Sequence, residues 1–435
     1  MIFGILQLRG RSSPARMSPC QGEGSGFDSH RPLKSIILPP FLTYMNTILT
    51  SLFFLHFLND GVRTAFVSLL PFIAKDFHLS FTHVGFLGSS QGIVVSIFAL
   101  PAGILASRIG GFKILLLSLL IYSIGAIGIG LAPNSIALMI IFYLAAAGFG
   151  MFHTIANSLV ARSSYKTTLG RTMGNYGAIS DLGRISLPAG ALFLASLIGW
   201  RPAFFTLATI GFSTYIFFQW LLPLRNISLH KQRKEGRESH KAWLIQLVFL
   251  IRQKQLFLVT LAATVDNFAA HSIYIFLPFL LLARGFTPAT LSIFMASYFI
   301  GSFGGKTLLG RAVDLFGKAK VFIVAEILMA ASLILLTLSH NFFLLLGMSC
   351  LLGWFTRGTT PIVGTLFAEI THEAHYEKVF AVGEIFLGLA GALSPIIMGI
   401  LADRLGVVSV FYMAAFFAIV ATIPIFLFLR SPVRY

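Results

Sequence analysis

Long apolar segments recur along almost the whole chain, and they restrict its possible folds more than any other feature. Between residues 46 and 430, twelve segments reach the length of about 20 mostly apolar residues that a helix needs to cross a bilayer. Only 11% of the residues are charged, against about 25% in a typical soluble domain. Backbone groups inside a bilayer must be hydrogen-bonded within their own segment. The sequence therefore predicts an all-α membrane protein with twelve transmembrane helices.

The predicted spans form two groups of six. The N-terminal bundle is expected at 44–222, a basic cytoplasmic linker at 223–254 and the C-terminal bundle at 255–430. Residues 1–43 are expected to be a disordered tail that is not translated if synthesis starts at Met45, and 431–435 a C-terminal tail. The spans are expected at 46–72, 81–104, 113–132, 135–160, 170–197, 203–222, 256–283, 288–309, 319–338, 342–368, 376–401 and 407–430.

The two groups are related by a constant shift of 207 residues. The shift takes Gly110 to Gly317 and Pro188 to Pro395, and it holds from the first helix of each group to the last without a gap. Such an offset indicates internal duplication, so the two six-helix bundles are expected to be pseudo-symmetric. Parallel six-helix repeats about an axis along the membrane normal are one of the standard plans of transporters.

The distribution of positive charge predicts the orientation of the chain. A net charge of +17 would suggest a nucleic-acid partner in a soluble protein. Most of the 32 Lys and Arg residues, however, lie in the tails and in the loops on one side of the predicted spans. This asymmetry predicts a multi-pass protein of the cell inner (plasma) membrane with both termini in the cytoplasm. Lipid is the expected surrounding, and DNA binding by the basic segment 224–241 is the less favoured alternative.

Glycine-rich loop motifs follow the second span of each half. The first reads GILASRIGGFK from Gly103, its duplicate reads GRAVDLFGKAK from Gly310, and a third copy, GILADRLG, starts at Gly399. These motifs resemble the loop signature of the major facilitator superfamily, which implies the major facilitator fold and a transport function. Gly103 and Gly310 are expected to let helices approach closely, and the loop charges to pair across the halves. The expected cytoplasmic gate residues are Gly103, Arg108, Gly110, Lys113, Gly310, Asp314, Gly317 and Lys318.

Two further stretches are similar to fosmidomycin-resistance-type efflux proteins. They are FLHFLNDGVRTAFVSLLPFIAKDFHLS in the first span and GFGMFHTIANSLVAR in the fourth. Thr154 stands where that subfamily usually has proline, and Leu144 lies near the place of its usual fourth-helix arginine. The resemblance implies efflux of a small polar or drug-like solute.

Ionisable side chains inside the predicted spans mark the candidate site. Each costs roughly 2.5–3.5 kcal/mol on insertion scales, so it needs a partner, a watery cavity or a function. The expected substrate and proton pathway comprises Asp60, Arg63, His153, Asn157, Asp181, Arg184, Asp266, Asn267, Arg357 and Glu384. The shift of 207 places Asn59-Asp60 on Asp266-Asn267, so the two halves are expected to hold an amide and a carboxylate at matching depth.

Each charged group also has a structural interpretation. Asp60 with Arg63, and Asp181 with Arg184, are spaced i, i+3, which suits either intrahelical salt bridges or a charge-lined cavity. Glu384 is expected to be a proton acceptor or a partner of Arg357, and no role is predicted for Glu326.

These features predict a monomeric, proton-coupled secondary transporter that exports its solute by alternating access. A proton symporter that imports a small metabolite is one alternative, and a non-transporting membrane sensor on the same scaffold is another. No enzyme is predicted, because no nucleophile–base pair is apparent. No metal or cofactor is expected, and Cys20 and Cys350 predict neither a disulfide nor a thiolate site.

Overall fold

The computed structural model describes residues 40–163, 169–221, 253–370 and 376–430. Within these ranges the chain is helical and contains no strand, as predicted. Residues 1–39, 222–252 and 431–435, which hold most of the predicted N-terminal tail, the linker and the C-terminal tail, lie outside the described residues. The domain boundaries therefore remain predictions.

Fourteen helices occupy the described residues, and they occur where the twelve spans are predicted. Eight of the segments are long and apolar enough to cross a membrane by length and composition alone. The helices are α1 Pro40–Ser68, α2 Leu70–Asp76, α3 Phe81–Ile109, α4 Gly111–Leu131, α5 Ser135–Arg162, α6 Leu169–Ile198, α7 Trp200–Leu221, α8 Lys254–His271, α9 Ile273–Ala283, α10 Pro288–Phe316, α11 Lys318–Leu338, α12 Phe342–Glu369, α13 Tyr376–Leu405 and α14 Val408–Leu429.

The duplication is visible in the backbone. All six described residues with a left-handed φ form three pairs separated by 207: His78 with Gly285, Gly110 with Gly317, and Gly199 with Gly406. The loop glycines Gly110 and Gly317 end α3 and α10 at φ 98° and 86°, a conformation that favours glycine because it has no Cβ. The two halves thus share their turn geometry as well as their helix lengths.

The first span of each half is broken, but at different positions. Leu69 separates α1 from α2, whereas Ser272 separates α8 from α9. Pro71 and Pro278 are equivalent under the shift, yet Pro71 lies in the first turn of α2, where its missing N–H is tolerated, and Pro278 lies inside α9. The duplicated sequence therefore accommodates the same proline in two ways.

The two halves meet along two helix pairs, α3 with α13 and α6 with α10. Glycines bring the α3–α13 pair together: a Cβ on Gly85 would lie 2.1 Å from the Pro395 carbonyl oxygen, and one on Gly399 would lie 2.3 Å from that of Phe81. The prediction that Gly310 lets helices approach closely is wrong, because a Cβ there would meet no atom within 4 Å. Gly103 lies outside the residues whose surroundings are described.

Asp403, at the end of α13, binds the first turn of α3. Its Oδ1 accepts the Phe81 N–H at 2.6 Å, and its Oδ2 accepts the Thr82 N–H at 2.9 Å and the Thr82 hydroxyl at 2.6 Å. A carboxylate at a helix N-terminus satisfies free N–H groups and favours the positive end of the helix dipole. The two halves are therefore joined at the end of the bundle that the charge distribution predicts to face outward.

Arg201 and Arg284, two of the few basic residues predicted on the outward side, cap helix C-termini there. The Arg201 guanidinium donates to the carbonyls of Gly130 and Ala132 at the end of α4, at 2.9 Å and 3.2 Å. The Arg284 guanidinium donates to the carbonyl of Leu336 at 2.8 Å and to that of Thr337, near the end of α11. A cation at a helix C-terminus is favourable, which accounts for these two exceptions to the charge asymmetry.

Candidate functional site

Asp60, on α1, lies at the centre of the charged network in the N-terminal half. Its carboxylate is 1% exposed and accepts from Arg184 Nη2 on α6 at 2.6 Å. His153 Nε2 on α5 lies 3.0 Å from Oδ1, and the Asn59 side-chain amide donates to the same oxygen at 3.1 Å. Three helices thus converge on one carboxylate, and its charge is balanced from outside its own helix.

His56 lies one turn before Asp60 and faces it with Nε2, which is 3.4 Å from Oδ2. Its other ring nitrogen, Nδ1, donates to the Tyr176 carbonyl at 2.9 Å, and the ring stacks on Tyr176 with centroids 3.9 Å apart. The Tyr176 backbone and ring therefore fix the orientation of His56. Neither contact could be predicted, because α6 supplies the partner from 120 residues away.

His56, Asp60 and His153 offer ligand atoms that all lie within 4.8 Å of one another. Two imidazoles and a carboxylate are an acceptable zinc ligand set. However, Arg184 already binds one Asp60 oxygen, and its fixed positive charge opposes a divalent cation at the same place. The cluster is better suited to a proton than to a metal ion.

Arg184 connects Asp60 to Asp181, and Asp181 connects the two halves. The Arg184 guanidinium donates through Nη1 to Asp181 at 3.0 Å, so this predicted i, i+3 pair is formed. Lys306 Nζ, on α10 of the C-terminal half, donates to both oxygens of Asp181 at 2.7 Å and 2.8 Å. The resulting ion chain runs from His153 through Asp60, Arg184 and Asp181 to Lys306. It crosses the α6–α10 contact between the bundles.

Asp266 on α8, which corresponds to Asn59 under the shift of 207, has a different environment from Asp60. It accepts from the Thr359 hydroxyl on α12 at 2.9 Å, and its other contact is the carboxyl of Glu326 on α11. Asn267 donates through its side-chain amide to the Leu387 carbonyl on α13 at 2.7 Å. Each half therefore holds one amide and one carboxylate at this depth, but their order is exchanged and their partners differ.

The remaining pathway residues are Arg63, which lies near the Asp60 cluster, and three residues outside both clusters or outside the described side chains. The Arg63 guanidinium interacts electrostatically with Asp60, Arg184 and Arg357. Arg357 lies 5.5 Å from the Tyr274 ring centroid, and no described carboxylate lies within 4 Å of its guanidinium. Asn157 is exposed and forms no hydrogen bond to another described residue. The Glu384 side chain is not among those described.

The predicted gate residues were expected to pair across the two halves, and their described contacts do not show this pairing. Lys318 pairs with Glu369 of its own half at 3.1 Å, so the expected pairing across the halves is not found for this charge. Arg108 and Lys113 are exposed, and the Asp314 side chain lies outside the description. Gly110 and Gly317 have backbone roles as helix ends.

The sequence analysis did not identify Lys306 and Glu326 as partners of the pathway acids. Both are ionisable residues within predicted spans, and such a residue needs a partner, a watery cavity or a function. Their partners Asp181 and Asp266 lie on other helices, so helical spacing carried no signal for them.

The sequence profile described as the Major Facilitator Superfamily matches residues 52–287 and 256–435. The chain belongs to the Major Facilitator Superfamily. It is therefore a multi-pass membrane transporter and not an enzyme, and its described helices, which occur where the twelve spans are predicted, fit that fold. The narrower similarity to fosmidomycin-resistance-type proteins remains a prediction.

Curated relatives and a solved structure agree with this family. The chain is 23% identical over 400 residues to the hexuronate transporter of Bacillus subtilis, covering 88% of this chain and 94% of the relative. It is 24% identical over 372 residues to the multi-drug resistance efflux pump PmrA of Streptococcus pneumoniae, covering 82% and 90%. It also resembles the structure of a bacterial homologue of the human lysosomal transporter Spinster, with a TM-score of 0.73 at 16% identity, covering 89% and 97%.

Proposed function

We propose that this superfamily member is a proton-coupled secondary transporter that exports a small polar or drug-like solute by alternating access. The observation that carries the proposal is the Asp181–Lys306 ion pair between the halves, which Arg184 connects to the buried Asp60. An ion chain of this kind can link the charge of one bundle to its contact with the other. A protonation event that alters the chain would then change the relative stability of two conformations.

The proton step begins at His153 and Asp60. The His153 side chain is 27% exposed and Asp60 only 1%, so His153 is the more accessible member of the pair. An imidazole is suited to exchanging protons near neutral pH. A proton delivered to Asp60 removes the charge that Arg184 binds, and Arg184 is then free to interact more strongly with Asp181. Lys306 loses part of its hold on Asp181, which weakens the contact between the halves.

Export is the preferred direction because of the subfamily resemblance and the relative PmrA, which is named as an efflux pump. The proposed setting is the cell inner membrane, with a monomer whose termini both face the cytoplasm, as the distribution of Lys and Arg favours.

Import of a small anion together with a proton is the second candidate. Four described cations, Arg63, Arg184, Lys306 and Arg357, meet two carboxylates, Asp60 and Asp181, while Asp266 faces another acid. The guanidinium groups among these cations are suited to binding a carboxylate, so they favour an anionic solute. The relative named as a hexuronate transporter carries a sugar acid, which has that chemistry.

A resistance and uptake screen tests both candidates. Cells with and without the protein are compared for tolerance to drug-like compounds and for uptake of labelled organic acids, before and after a protonophore collapses the proton gradient. Export predicts increased tolerance that the protonophore removes, whereas symport predicts acid uptake that the protonophore removes.

Asp60→Asn tests the ion chain within the same screen. It should abolish the gradient-dependent activity while membrane insertion is retained, because the amide cannot balance Arg184 or accept a coupling proton. Glu369→Gln, in the exposed pair with Lys318, is the matched control and should behave as wild type. Full activity in Asp60→Asn, or activity that survives the protonophore, would contradict proton coupling through this chain.

A further inference from the structure

Glu326, on α11, is the buried acid that the proposed function does not use. Its side chain is 0% exposed, and neither carboxylate oxygen has a hydrogen-bond donor among the described residues. An ionised carboxylate without donors in a membrane-spanning helix is costly. Glu326 must therefore be neutralised in another way.

The group that contacts Glu326 is a second carboxyl, that of Asp266 on α8. Asp266 is 6% exposed, and its Oδ2 accepts from Thr359, but its Oδ1 has no donor among the described residues. Three unsatisfied carboxyl oxygens thus belong to two acids in direct contact. A proton on either acid converts their contact into an O–H···O hydrogen bond.

The surrounding helices provide no described cation for this pair. Arg357 on α12 is two residues from Thr359, so it projects from another face of the helix, toward the Tyr274 ring. Lys306 on α10 is bound to Asp181. On α14, which packs against both α8 and α11, residues 413–429 contain no ionisable side chain. On α13, the Glu384 side chain lies outside the described set.

Electrostatics then determines the state of the pair. Two carboxylates in contact away from water repel each other, and no counter-ion within the described residues offsets that repulsion. One shared proton removes one negative charge and supplies the missing hydrogen-bond donor in a single step. Proton-sharing carboxyl pairs form for this reason wherever two acids are held together out of water.

We propose that Asp266 and Glu326 form a proton-binding site of the C-terminal bundle, with one proton held between the two carboxyl groups. The assignment as the coupling site rests on the proposed function. Binding takes the pair from two negative charges to one and consumes one proton from the aqueous phase. Release returns that proton and leaves two carboxylates, which requires water to reach them.

Hydrogen bonds connect this site to α13, which contacts the N-terminal half. Asn267, next to Asp266, is bound to α13 through the Leu387 carbonyl, and the Ser394 hydroxyl on α13 donates to the Phe268 carbonyl at 2.6 Å. α13 is one of the helices that contact the N-terminal half. Separation of α13 from α3 therefore pulls on the backbone that carries Asp266, and this displacement would admit water and release the proton.

Infrared spectroscopy of the full-length protein in lipid vesicles tests the site without any solute. Wild type should show a protonated-carboxyl C=O band at neutral pH that shifts in D₂O. Glu326→Gln should lose this band, because the glutamine amide can donate to an ionised Asp266. Asp266→Asn should keep a band at a shifted frequency, because an isolated Glu326 in apolar surroundings retains its proton. Glu369→Gln, which changes an exposed glutamate, should leave the spectrum unchanged.

A wild-type spectrum that neither Glu326→Gln nor Asp266→Asn alters would overturn the site. Elution profile and thermal unfolding report whether each variant folds, and if Glu326→Gln does not fold, the Asp266→Asn spectrum decides.

The coupling role is tested separately, with a solute identified in the uptake and resistance screen. Glu326→Gln should lose gradient-driven accumulation but keep solute exchange. Loss of the band with unaltered accumulation would overturn the coupling assignment, whereas absence of any wild-type transport would refute the proposed function alone.

Discussion

The Asp181–Lys306 pair places one ionic contact between the two bundles, and its carboxylate is 4% exposed. Asp181 also holds Arg184, so each member of the chain shares its charge with a neighbour. Removal of one member of a buried pair leaves an uncompensated charge, whereas removal of both leaves none. The pair is therefore expected to behave as a unit.

A double-mutant cycle on this pair tests the expectation. Asp181→Asn and Lys306→Gln should each lower the free energy of unfolding in micelles, and the double variant should recover part of the loss. The expected coupling is roughly 1–3 kcal/mol. The matched control is Lys318 with Glu369, a more exposed pair at 3.1 Å whose coupling should be about 0–1 kcal/mol. Equal couplings for the two pairs would show that the contact between the halves has no special strength.

Charges in spans could be recognised from the sequence, but their partners could not. Asp60 and Asp266 were both expected at matching depth, and helical spacing correctly paired Asp181 with Arg184. The spacing carried no information about Arg184 beside Asp60 or Glu326 beside Asp266, because packing between helices decides those contacts. Sequence reasoning thus found the acids, whereas their electrostatic states depend on the tertiary fold.

Among the elements, α3 is held at its N-terminus by a residue of the other half. Asp403 satisfies the N–H groups of Phe81 and Thr82, which would otherwise lack helical partners. The hydrogen bonds are charge-assisted, and they exist only while α3 and α13 are together. Asp403 therefore favours the conformation in which the predicted outward end is closed.

Asp403→Ala should destabilise that conformation by roughly 1–2 kcal/mol, a five- to thirtyfold shift in population. The measurement is the distance between spin labels at Lys75→Cys and Leu405→Cys, two exposed positions at this end, with Cys20 and Cys350 replaced. The variant should populate a longer distance than the parent. Arg404→Gln, which alters the neighbouring charge only, should leave the distance distribution unchanged, and a matching distribution in Asp403→Ala would argue against the role given to this carboxylate.

At the scale of the whole molecule, the duplication was the most reliable prediction. The shift of 207 derived from scattered Gly and Pro matches also relates the three pairs of left-handed residues and the ends of α3 and α10. Predictions that glycines of the loop motifs let helices pack closely were less reliable. Gly310 faces open space, whereas Gly85 and Gly399 touch backbone across the halves, and only their helical neighbours distinguish these cases.

Gly399→Ala should therefore block closure along the α3–α13 contact, because its Cβ would lie 2.3 Å from the Phe81 carbonyl oxygen. Transport should fall strongly at an unchanged level of protein in the membrane, since alternating access requires both closed ends. Gly190→Ala on α6 is the control, because a Cβ there meets no atom within 4 Å. Transport in Gly399→Ala equal to that of the control would mean that the two helices can separate without loss of function.

The hydrogen bonds from the first turn of α3 to Asp403 cannot be reproduced in the duplicated helix pair, α6 with α10. Under the shift, Asp403 corresponds to Ser196, Phe81 to Pro288 and Thr82 to Ala289. Proline has no amide hydrogen and alanine has no hydroxyl, so an aspartate introduced at Ser196 would find one donor where Asp403 finds three. At the outward end, α3 and α13 are therefore joined by a carboxylate, whereas the duplicated pair, α6 with α10, has no such bond at the equivalent positions. When the outward end opens, α6 can separate from α10 before α3 separates from α13.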